Sequence, residues 1–122
     1  MILCDTNIII EALKNNPAVI QTIEKNGLDR ISISVVTAME LYYGALNKAE
    51  LKKIKRHLLS IRIFHIDEKI SVTASELIER YAKSHGLQIP DALIAATSLN
   101  HCLKLYTGNK KDLVLSQTEW VR

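Results

Sequence analysis

Aromatic side chains are scarce in this sequence of 122 residues, with one Phe, one Trp and four Tyr. Any core must therefore be aliphatic, and the material is present: 48% of the residues are hydrophobic, too many for a disordered polymer. Cysteine is scarcer still. Cys4 and Cys102 stand in no metal-ligand spacing, which argues against a disulfide framework or a thiolate zinc site. Both are expected as small buried thiols of a reducing compartment. The four histidines, His57, His65, His85 and His101, show no paired ligand spacing either. The glycines form no phosphate-cradling loop, and there is no nucleophile elbow. No apolar run approaches the roughly 18 residues of a membrane span. The start, Met1-Ile2-Leu3-Cys4-Asp5, meets a charge too early for a secretory signal. The expectation is one domain over residues 1–122, cytoplasmic and without a membrane segment. A net charge of +3 favours an anionic partner only mildly.

What is present alternates. Four short apolar runs read as strands: Ile2-Leu3-Cys4, Ile31-Ser32-Ile33, Ile61-Arg62-Ile63-Phe64 and Leu103-Lys104-Leu105-Tyr106. Stretches with helical periodicity separate them, so the fold class is α/β, with a mainly parallel twisted sheet of about four to five strands flanked by helices. The clearest helix follows Asp67, where Ile70, Ala74, Leu77, Ile78 and Tyr81 recur at offsets of three and four. Asp67 can cap it and Gly86 can end it. A nearly all-apolar helix starts at Pro90 and is expected to be central. Others run from Asp5 to the Asn15-Asn16-Pro17 turn, from Pro17 to Asn26-Gly27, and from Ser34 to Gly44.

In such a sheet, ligands bind beyond the carboxyl ends of the strands. The informative acids fall at that edge: Asp5 after the first strand, Glu40 on the helix after the second, Asp91 at a helix start, and Asp112 after the last strand. Each also has an ordinary reading. Asp5 can cap the first helix. Glu40 can close a capping box with Thr37, unless Ser34 is the cap and Glu40 lies deeper in the helix. Asp91 suits a first turn through the helix dipole, and Asp112 can be a plain loop acid. As a set they are harder to explain. Several carboxylates at one edge repel unless a cation sits between them. Magnesium, a hard cation that accepts a few carboxylates, waters and phosphate oxygens, fits that role.

Four segments now appear in order: Asp5-Thr6-Asn7; Ser34 through Glu40-Leu41 to Gly44; Pro90-Asp91-Ala92-Leu93-Ile94-Ala95-Ala96; and Thr107-Gly108-Asn109-Lys110-Lys111-Asp112. This pattern, covering the whole chain, resembles the PIN-domain family, specifically its VapC-like toxins of toxin–antitoxin pairs. The resemblance implies an endoribonuclease dependent on Mg2+, with Mn2+ as an alternative. It matches Asp5, Glu40 and Asp91 to the family's acids, with Asp5 and Asp91 holding metal. It gives Thr107 a supporting hydroxyl role, with Thr6, Asn7 and Asn109 as further supporting positions. The fourth acidic position is either Asn109, which carries no charge, or Asp112. The resemblance further implies an RNA substrate, a homodimer, and a cognate antitoxin whose C-terminal segment covers the acidic pocket.

Lys48, Lys52, Lys53, Lys55 and Arg56 crowd one helical stretch with a Leu51, Ile54 and Leu58 stripe. That is either a solvated basic face or a surface for RNA phosphates. Tyr42 and Tyr43 are either core or interface residues, or platforms for bases. The principal alternative function is a non-catalytic PIN-like module that binds RNA or protein. A receiver-like phosphoacceptor would need paired acids after the first strand, where Cys4-Asp5-Thr6 offers one.

Overall fold

The computed structural model describes residues 1–108. Among these residues four strands, β1 (Ile2–Cys4), β2 (Ile31–Ser34), β3 (Arg62–Phe64) and β4 (Lys104–Tyr106), form one sheet in the order β3-β2-β1-β4. Every pairing is parallel; Leu3 lies beside Ser32 on one side and Leu105 on the other. The strands follow the expected runs closely. Ser34 is added to β2, and Ile61 and Leu103 fall outside β3 and β4.

Among the described residues six α-helices connect the strands: α1 (Thr6–Leu13), α2 (Pro17–Asn26), α3 (Val35–Tyr43), α4 (Lys48–Leu58), α5 (Glu68–His85) and α6 (Ile89–Asn100). Their ends are set by local chemistry. Asn16 caps α2, its Oδ1 accepting from the Ala18 N–H at 3.1 Å, with Pro17 in the first turn where no N–H is needed. Asp67 Oδ1 accepts from the Ile70 N–H at 2.9 Å to start α5. Gly86, at φ 66°, ends it in the left-handed conformation that a side chain would disfavour. Helix α6 begins one residue earlier than its proline suggests, at Ile89, so Asp91 is its third residue.

Side chains alternate across the sheet. On one face Cys4, Ile31 and Ile33 pack with Ile8, Val19 and Ile54 from the helices. On the other, Leu3, Phe64 and Leu105 pack with Val36 and Ile94. Helices α5 and α6 pack on one another through Ile70, Ala74, Leu77, Ala92 and Ala95, and Ile94 ties α6 to that face of the sheet. Small alanines let the two helices approach closely, and aliphatic chains fill the rest, as the shortage of aromatics requires. Of the two free thiols, Cys4 is buried, but Cys102 is exposed, contrary to expectation. It sits at φ 53° in the turn leaving α6, where its side chain meets no core. Tyr42 packs on the core, while Tyr43 is 95% exposed. Among the described residues, no helix is long and apolar enough to cross a membrane.

Candidate active site

The strand order fixes where the site lies. The chain builds β1, β2 and β3 outward in one direction, then returns to add β4 on the other side of β1. The strand order therefore reverses between β1 and β4, and in open parallel sheets the carboxyl ends of the strands at such a point are the usual binding position. Asp5 follows β1 and Thr107 follows β4, one on each side of it.

Asp5 is buried, 8% exposed, and both its oxygens are engaged. Oδ1 accepts from the Ile8 N–H at 2.9 Å, capping α1; Oδ2 accepts from the Thr107 hydroxyl. The ordinary capping role is thus real. It leaves lone pairs free, because a carboxylate offers about four acceptor sites. Next to Asp5, burial first and then the Asp5 charge push the Cys4 thiol up to about 12. The thiol is therefore held in its neutral form.

Glu40 is reached from α3. Ser34 caps that helix, its Oγ accepting from the Val36 N–H at 3.1 Å, so the capping-box reading of Thr37 and Glu40 is overturned. The reason is that Ser34 ends β2 in extended backbone and is already placed to receive that N–H. Glu40 is left one turn deeper, exposed, with its Oε1 accepting from Thr6 Oγ1 at 2.7 Å.

Asp91, on the first turn of α6, connects the set. Burial raises its pKa, and the charges of Glu40 and Asp5 raise it further; a backbone hydrogen bond at Gln88 partly offsets them. Asp5 before α1 and Glu40 on α3 thus both act electrostatically on Asp91 of α6. Asn7 is exposed and makes no side-chain hydrogen bond to these acids. Asn109 and Asp112 lie outside the described residues. Sequence reasoning treated Thr37 only as a cap candidate. Its hydroxyl is in fact buried and lies 3.1 Å from that of Thr6; a Thr one turn before Glu40 was the available signal.

As a cation site the donor chemistry suits a hard divalent ion. The acids and the Thr6 and Thr107 hydroxyls bonded to them offer oxygen donors, and Asp91 bears the repulsion that a cation would relieve. Among the described residues, however, no three His, Cys, Asp or Glu side chains lie close enough together to hold a metal ion. A hard divalent ion there would need waters and substrate phosphates to complete its shell. A groove of about 700 Å³ between α1, α3 and α4 opens at Glu40, with Lys14 and Lys53 in its lining.

A parallel α/β sheet with acids gathered at its switch point is the architecture of a PIN domain. The PIN domain model matches residues 2–118, and the chain belongs to the PIN-domain family. Among its relatives, Ribonuclease VapC10 of Mycobacterium tuberculosis is 34% identical over 113 residues, covering 89% of this chain and 83% of that protein. Toxin FitB of Neisseria gonorrhoeae is 32% identical over 121 residues, covering 88% of this chain and 86% of its own. The fold is similar to that of a chain in a solved toxin–antitoxin complex from Klebsiella pneumoniae, with TM-score 0.80, 31% identity, and coverage of 93% and 90% of the two chains.

Proposed function

We propose that this chain is a magnesium-dependent endoribonuclease, the toxin of a toxin–antitoxin pair, folding as one domain over residues 1–122. The observation that supports the reading is that Asp91, at the start of α6, feels the charges of Glu40 and Asp5, while hydrogen bonds tie Glu40 to Thr6 and Asp5 to Thr107. The family and the names of the relatives, a ribonuclease and a toxin, support the reaction class.

Asp5 and Asp91 would hold the ion. When bound, Mg2+ neutralises charge on the scissile phosphate and acidifies a water, and Mn2+ can replace it. Thr107 fixes the rotamer of Asp5, so the free lone pairs of that carboxylate face a constant direction. Glu40, exposed at the end of the groove, orients the attacking water and takes its proton. Lys14 and Lys53, which share the groove lining with Glu40 and Glu50, are the lysines there that would meet an RNA backbone. Asp112, or Asn109 in its place, is the proposed fourth member from the segment after β4. The physiological form is proposed to be a cytoplasmic homodimer, silenced by a cognate antitoxin that covers the acidic pocket.

The test is sequencing of RNA ends after induced expression of the wild type and of Asp91→Asn. Recurrent new ends with the wild type and none with the folded variant are expected. The same RNA ends with both would favour the alternative, a non-catalytic module that binds RNA or protein.

A further inference from the structure

We propose that Thr37 is a positioning residue whose buried hydroxyl, acting through Thr6, holds the Glu40 carboxylate in its working orientation. The inference rests on the nuclease reading above.

Thr37 is fully buried, and its hydroxyl has one hydrogen-bonding partner among the described residues, Thr6 Oγ1 at 3.1 Å. Thr6 Oγ1 in turn lies 2.7 Å from Glu40 Oε1. Each hydroxyl carries one proton. The carboxylate is the stronger acceptor and takes the Thr6 proton, so the Thr37 proton serves the contact between the two threonines. A directed chain of bonds therefore runs from the core to an exposed acid.

Position explains why this matters. Thr37 and Glu40 are three residues apart on α3 and share a face, whereas Thr6 belongs to α1 and directly follows Asp5. An exposed glutamate otherwise samples many rotamers, and water competes for its oxygens. Thr6 selects one of them, and Thr37 fixes Thr6 from a site that water does not reach. The same link sets α3 against α1, so Glu40 is held relative to Asp5. If Thr37 served packing alone, removing its hydroxyl would lower stability and leave turnover by the folded protein unchanged.

The test uses the full chain and the variants Thr37→Val, Thr37→Ser, Thr6→Val, Glu40→Gln and the double variant Thr37→Val/Glu40→Gln. Cleavage is followed on fluorophore-labelled single-stranded RNA of mixed sequence with saturating magnesium, and unfolding by thermal melts in chelator. Thr37→Val should lose roughly ten- to a hundred-fold in kcat, the scale of a misplaced reacting group, with KM little changed. Thr37→Ser should recover most of that rate. In chelator, the melting shifts of Thr37→Val and Glu40→Gln should combine less than additively, because the residues share one network. Thr6→Val gives the same readouts if Thr37→Val does not fold. Wild-type turnover by Thr37→Val beside an inactive Glu40→Gln, or strictly additive melts, would overturn the positioning role alone. Wild-type cleavage by Glu40→Gln would instead overturn the role of Glu40 in the nuclease, and the melts, which need no substrate, would still decide whether Thr37 and Glu40 are coupled.

Discussion

The hydroxyl of Thr107 donates to Asp5 Oδ2 across 102 positions of the chain, joining the ends of two neighbouring parallel strands. The other oxygen of the same carboxylate caps α1. One side chain therefore has a structural duty and a proposed chemical one, and two substitutions separate them. Asparagine caps a helix about as well as aspartate, so Asp5→Asn should abolish RNA cleavage with little loss of stability. Asp5→Ala should lose cleavage and also about 1 kcal/mol, the usual value of a cap. Denaturant unfolding beside a cleavage assay checks both. Equal destabilisation by the two variants would show that the cap is worth nothing here.

Asp91 gives a pH prediction. Its folded-state pKa is raised by burial and by Glu40 and Asp5. Folding therefore favours the protonated form. The stability it contributes is fully present below the unfolded pKa, where both states are protonated, and is lost as pH rises through the raised folded value. Asp91→Asn removes this dependence. In chelator, the variant should melt above the wild type at neutral pH, and the gap should close on acidification. Metal needs the ionised carboxylate, so metal-induced stabilisation of the wild type should shrink over the same acid range. A pH-independent gap between the two proteins in chelator would contradict the assignment.

The basic face of α4 gives a salt prediction. Lys52, Lys53 and Lys55 are exposed, and Lys53 lines the groove that ends at Glu40. If the face meets RNA phosphates, replacing the three with Ala should weaken binding and flatten its salt dependence. Each lost contact should reduce the log–log slope by roughly 0.7 for a single strand. Fluorescence anisotropy across a salt series measures it. An unchanged slope would return α4 to a solvated face, with Lys53 a bystander.

Much of this was legible in the residues. Strand positions were readable because each strand is a short apolar run bounded by a turn or a cap, and Asp67, Gly86 and Asn16 acted as their types predict. What could not be read was spatial order. Nothing in the residues after β4 says that this strand returns to pair with β1, yet that pairing brings Thr107 to Asp5. Glu40 was legible as an acid near the edge but not as a partner of Thr6, because its contact spans 34 positions and depends on how α3 crosses α1. The choice between Ser34 and Thr37 as cap turned on where β2 ends, a matter of one residue. Cys102 was misjudged because burial was inferred from residue type, whereas its place in a turn decided it.

Metal itself should stabilise the fold, because the acids converge only when the chain is folded. Asp5 and Asp91 are dispersed in the unfolded state and bind a lone cation poorly there. In the folded state Asp91 already bears the repulsion of Glu40 and Asp5, which a divalent ion would relieve. At a hundred times its dissociation constant, an ion that binds only the folded state adds about 2.7 kcal/mol. For a domain between the small and medium size classes, each kcal/mol moves Tm by roughly 3–6 °C. A rise on the order of 10 °C is expected with saturating magnesium or manganese. Asp5→Asn and Asp91→Asn should each reduce it, and Lys52→Ala, at an exposed position of α4, should not. Thermal melts in chelator and in metal at matched ionic strength make the comparison. An equal response in wild type and both acid variants would show that these carboxylates share no ion. Hydrolysis by this chain would then need a different source of charge neutralisation.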